Sequence, residues 1–116
     1  MEQIYPELDQ RICEISDGDK EFQKELTLAI YLGLLELKEK YTEGSIEKND
    51  TKIQQIRHKL KPTLSMFELS HIITELQVGK NIIENEGFEG AAFEVHYRSL
   101  HKKLDQAIKR VYDLTQ

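Results

Sequence analysis

Cysteine is nearly absent from this chain of 116 residues: Cys13 stands alone, so no disulfide can close within it. Flanked by Ile12 and Ile15, Cys13 reads as a small buried apolar group. Proline is almost as scarce, with only Pro6 and Pro62, and no internal repeat or low-complexity segment appears. Basic charge is not in excess. The 16 Lys and Arg residues are outnumbered by 21 Asp and Glu, for a formal net charge of −5. Nonspecific nucleic-acid binding needs a basic field, so no nucleic-acid partner is expected. No apolar run approaches the ~20 residues of a membrane span, so no membrane partner is expected either. The N-terminus lacks a basic stretch followed by an apolar one, so no signal peptide is visible. With the lone cysteine, these absences favour a soluble, cytoplasmic protein. Convincing strand alternation is missing too. What remains is one small domain over residues 1–116, expected to be monomeric, whose hydrophobic content of 39% suffices for a core.

Helical periodicity fills the chain instead. Pro6 is placed to open a short helix through Ile15, with Leu8, Ile12 and Ile15 inside. Asp17-Gly18-Asp19 ends it, and Asp19 is a good N-cap for the next. That helix is predicted from Lys20 to about Tyr41, with Phe22, Leu26, Ala29, Ile30, Gly33 and Leu37 as its seam. Leu28, Tyr31, Leu32 and Leu35 fall outside the seam. They either pack on a neighbouring helix or form a second docking surface. Thr42 to Asn49 is polar with one Gly and reads as a loop, and Asp50 as the N-cap of a third helix. Leu69, Ile72, Ile73, Leu76 and Ile83 stripe a fourth helix to about Asn85, weakened and open to a break at Gly79. Glu86 to Gly90 reads as a loop. A last helix is predicted from Ala91 to about Leu114 through Phe93, Tyr97, Leu100, Leu104, Ala107, Ile108 and Val111. The expected fold is all-α, an antiparallel four-helix bundle with a short extra N-terminal helix.

The third helix carries the chemistry. Ile53, Ile56, Leu60, Leu64 and Phe67 recur at spacings of three and four, one stripe of an α-helix. At roughly 100° per residue, His58 points about 150° away from the mean of that stripe, towards solvent or a partner. Gln54, Lys61, Pro62 and Ser65 share its side. An exposed imidazole with a cation one turn away and a short side chain two turns away suits a phosphoryl acceptor. Pro62 donates no backbone N–H and crowds the carbonyl of His58, so a kink or fraying is expected there, or simply a helix end.

The run His58-Lys59-Leu60-Lys61-Pro62-Thr63-Leu64-Ser65-Met66-Phe67 resembles the active-site helix of histidine-containing phosphotransfer (HPt) domains. His58 and Lys61 match the acceptor histidine and the lysine three residues on, and Ser65 stands where a small residue usually sits. Pro62 replaces the more usual Gly, and Glu68 stands where another Gly is common. Ile15 to Phe22 also resembles the entry to the family's preceding helix, so the resemblance covers roughly Tyr5 to Leu69. It implies that His58 accepts a phosphoryl group and that Lys61 stabilises it. By their own chemistry, Gln54 is either a hydrogen-bond donor to that group or a solvated glutamine, and Ser65 is a steric allowance with no chemical role. The resemblance further implies that the second helix contributes to docking, which makes Leu28, Tyr31 and Leu35, with Gln54, Pro62 and Ser65, the candidate docking residues. The implied partners are receiver domains of response regulators or hybrid kinases.

Free imidazole titrates near ~6.5, so a large share is a neutral nucleophile at neutral pH. The chain shows no Gly-rich phosphate loop and no kinase-type nucleotide signature. In-line transfer needs charge neutralisation beyond what these residues supply. An aspartate cluster and Mg²⁺ would therefore come from the receiver, with the chain a relay and not itself an enzyme, carrying no cofactor of its own. Two other classes stay open. One is a helical adaptor without phosphotransfer, and the other a di-metal carboxylate site built on Glu68-Leu69-Ser70-His71. The second lacks a repeat, because Phe93 and Arg98 stand three residues before His96 and His101.

Overall fold

Five helices, α1 Leu8–Ser16, α2 Lys20–Glu47, α3 Asp50–Met66, α4 Ser70–Glu86 and α5 Ala91–Leu114, make up the computed structural model, which describes residues 8–115. Links of two to four residues force successive helices to reverse direction. α2 packs against α1, α3 and α5, and α4 against α3 and α5. A short N-terminal helix thus precedes a four-helix core. The core lies where Leu34, Leu37, Ile53, Leu64, Ile72, Leu100 and Leu104 meet, all fully buried. Each link is closed by backbone chemistry. Asp17 and Gly18 take positive φ values of 54° and 79° after α1, and Gly18 donates back to the Cys13 carbonyl. Asp19 then caps α2, its carboxylate accepting from the Phe22 amide at 3.1 Å. No helix among the described residues is long and apolar enough to cross a membrane.

The bundle matches the expected class, but several local expectations need correction. Pro6 lies outside the described residues. Cys13 is exposed: Leu8, Ile12 and Ser16 form the inner face of α1, and one residue past Ile12 turns the thiol outward. α2 runs six residues beyond Tyr41, so most of the expected loop is helix. Gly44 is no loop residue: it packs against α3, where an added Cβ would stand 2.7 Å from Cγ1 of Ile53. The helix ends at Lys48, which adopts φ 54° without the help of a glycine. Asn49, not Asp50, caps α3, its side chain accepting from the Lys52 amide at 3.1 Å. The buried seam of α2 is Thr27, Ile30, Leu34, Leu37, Tyr41 and Gly44. Phe22, 41% exposed, and Ala29 lie outside it.

Pro62 neither ends α3 nor frays it, and the helix continues to Met66. The proline deprives only the His58 carbonyl, and both residues lie on the exposed face, where a carbonyl without an intrahelical donor is not cut off from solvent. Leu60, Leu64 and Phe67 anchor the turns on either side. Gly79 does not break α4. It is buried where α4 crosses Tyr41 and His96, a spot too tight for a side chain.

Candidate functional site

α3 and α4 diverge enough on their outer side to leave a groove of about 370 Å³. Gln54, Arg57, His58 and Lys61 line it from α3, Leu64, Ile73 and Leu76 give apolar lining, and Gln77 and Lys80 line it from α4. The sequence places these residues by helical spacing: 54, 58 and 61 on one side, and 73, 77 and 80 on the other, each step three or four residues. His58 is exposed, as the stripe of α3 implies, and makes no hydrogen bond among the described residues. Lys61 is exposed beside it.

The remaining candidates divide. The Gln54 amide donates to the Asp50 carboxylate at 2.8 Å, one turn back along α3. Pro62 and Ser65 are exposed on the same helix, outside the groove lining. Lys59 leans the other way and pairs with Glu36 of α2 at 2.9 Å. That places α2 on the far side of α3 from the groove. Leu28, Leu32 and Leu35 project from α2 with 51%, 54% and 37% exposure, forming an apolar stripe at spacings of four and three. Tyr31 is half-buried and turns towards α5, its ring 6.0 Å from that of Tyr112.

Two groove residues, Gln77 and Lys80, escaped sequence reasoning. Their own helix gave no motif, and only the packing of α4 on α3 brings them beside His58. Two of the three apolar groups that line the groove, Ile73 and Leu76, likewise come from α4.

Behind the α4 wall lies a buried polar chain. The Tyr41 hydroxyl is 2.6 Å from Nε2 of His96, and Nδ1 of His96 is 2.7 Å from Oε2 of Glu75. The other Glu75 oxygen accepts from Ser99 at 2.6 Å and from Lys103 at 2.9 Å. A carboxylate only accepts, so Nδ1 donates to Glu75 and Nε2 accepts from Tyr41. Burial alone would raise the Glu75 carboxyl, but donors from Ser99, Lys103 and His96 and the Lys103 charge hold it at about 2. Burial lowers His96 more than Glu75 raises it, so the ring stays neutral. Burial also pushes the Tyr41 phenol up. His96 is thus closed to a partner. His101, half-buried, stands 3.2 Å from the Thr42 hydroxyl.

Glu68 sits outside α4 with φ 55°, so it shares no helical face with His71 and the Glu-x-x-His ladder does not form. Compared with family models, with curated proteins and with solved structures, the chain matches none.

Proposed function

We propose that this chain is a phosphorelay intermediate in which His58 accepts a phosphoryl group from a receiver aspartate and returns it to another. One observation carries the reading. His58 is an exposed imidazole, free of internal hydrogen bonds among the described residues, on the rim of a groove lined by cations and by no carboxylate. The resemblance of His58 to Phe67 to the phosphoacceptor helix of HPt domains points the same way.

The chemistry is a displacement at phosphorus. A ring nitrogen of His58 attacks, the nitrogen–phosphorus bond forms as the bond to the aspartate oxygen breaks, and the carboxylate leaves with its electron pair. Lys61 meets the phosphoryl oxygens through charge-assisted hydrogen bonds. The receiver's acidic cluster would hold a Mg²⁺ ion, and that cation would neutralise charge on the group in flight. Leu28, Leu32 and Leu35 offer the receiver apolar area on α2, and Ile73 and Leu76 offer it within the groove. Pro62 and Ser65 leave the approach along α3 unobstructed.

Incubation with phosphorylated receiver domains tests this. Label on the wild type should be acid-labile and base-stable, as a phosphoramidate is. His58→Gln should remove it with the helicity and thermal midpoint unchanged, because the residue is exposed. Label persisting in His58→Gln would move the acceptor elsewhere. No label on the wild type from any receiver would leave a helical adaptor.

A further inference from the structure

Positive charge is concentrated at this groove in a chain of net charge −5. Lys38, Lys48, Lys52, Lys59 and Lys103 are each committed to a carboxylate. Arg57, Lys61 and Lys80 form no ion pair among the described residues, and all three line the one groove. Unpaired cations gathered on two facing helices repel one another, and an anion bound between them relieves that cost. Apolar lining from Leu64, Ile73 and Leu76 lowers the competition from water at the same place.

We propose that Lys80, assisted by Gln77, is the second half of an oxyanion clamp, contacting the phosphoryl group on His58 from α4 while Lys61 contacts it from α3. The proposal rests on the phosphotransfer reading above. Gln77 and Lys80 lie three residues apart on one face of α4 and both line the groove; the Gln77 amide spends one N–H on Oδ1 of Asn81 at 3.1 Å, which leaves its second N–H as a donor beside the Lys80 ammonium. A dianionic phosphoryl group offers three acceptor oxygens, more than one lysine on α3 can satisfy. The clamp stabilises the phosphorylated state over the free one. It slows loss of the group to water and biases the transfer equilibrium towards this protein.

The test uses the full chain and phosphoramidate as a small phosphodonor, followed by ³¹P NMR. Lys80→Gln should shorten the half-life of the His58 label by roughly three- to tenfold, the loss of one partly solvated charge-assisted contact. Lys80→Arg should restore most of it. Lys109→Gln, which removes an exposed cation on α5 away from the groove, should change nothing. The thermal midpoint of Lys80→Gln should equal that of the wild type, since no ion pair is broken. A parallel titration with inorganic phosphate should shift amide resonances of α3 and α4 in the wild type, and less in Lys80→Gln. A labelled wild type with an unaltered Lys80→Gln half-life overturns the role of Lys80 alone. A wild type that takes no label at His58 removes the phosphotransfer reading, and the clamp with it.

Discussion

Gly79→Ala should destabilise the protein, although the same change in an ordinary helix stabilises it. Alanine has the better helix propensity by about 1 kcal/mol. Here the new methyl would stand 2.6 Å from the Tyr41 hydroxyl and nearer still to Nε2 of His96. Neither neighbour has room to retreat. Tyr41 is fully buried, and the His96 ring is fixed by Glu75 at 2.7 Å on its other side. Relief requires α4 to move away from α5 or the Tyr41–His96 hydrogen bond to break. Overpacking of this kind costs about 1–3 kcal/mol, and a buried polar group left unpaired costs about 1–3 kcal/mol more. Set against the propensity gain, the net loss is on the order of 1–5 kcal/mol. Urea unfolding followed by circular dichroism measures it, and an unchanged m-value confirms that the transition remains comparable. A Gly79→Ala variant more stable than wild type would refute the close packing of α4 on Tyr41 and His96. Gly33→Ala is the internal comparison. Its methyl meets only the Cδ1 end of Leu60, at 3.0 Å, so the penalty should be much smaller.

Acid should weaken the fold in two stages. His96, and His101 beside Lys38, have their pKa values lowered from 6.5 in the folded state, chiefly by burial, so stability is complete above that pH and declines as pH falls below it. Glu75, held at about 2 against an ordinary 4.5, adds a second loss between those values, and a thermal midpoint that stays flat from pH 7.5 to 3 would contradict both. Lys61→Ala should slow phosphoryl transfer to His58 by roughly tenfold without abolishing it, and single-turnover rates equal to wild type would make Lys61 a solvated lysine. Leu28→Ala and Leu35→Ala should weaken receiver binding at unchanged thermal midpoint, whereas Tyr31→Ala should lower the midpoint through its lost contact with Tyr112. Calorimetric titration paired with melting curves separates these outcomes.

Much of the architecture was legible because helical periodicity is a local property. The stripe Ile53, Ile56, Leu60, Leu64 put His58 and Lys61 on the exposed side of α3 before any packing was known, and α5 was bounded at Ala91 and Leu114 by the same means. Capping was equally local at Asp19, where an acidic side chain precedes a run of helix formers. Signals read from single residues failed where a neighbour overruled them. Gly44 and Gly79 carry the composition of a break. Each is a glycine because another helix passes too close for a Cβ, and nothing in their own stretch of chain reveals that. Cys13 failed in a related way, since adjacency to Ile12 in sequence is not adjacency on a helix face.

By itself, then, the sequence determined which face of each helix is apolar and which reactive groups stand opposite it. Those are consequences of a 100° rotation per residue and of burying apolar area, and they require no knowledge of the partner helix. Which helix faces which was decided only by the tertiary structure. Side chains far apart in the chain meet when α4 lies against α3 and α5, and that choice turned a surface histidine into the rim of a cationic groove. The same packing drew Tyr41, Glu75 and His96 into one buried hydrogen-bonded chain. Their spacings of 34 and 21 residues carry no periodic signal, so only the three-dimensional arrangement pairs each polar group with the partner that makes its burial tolerable.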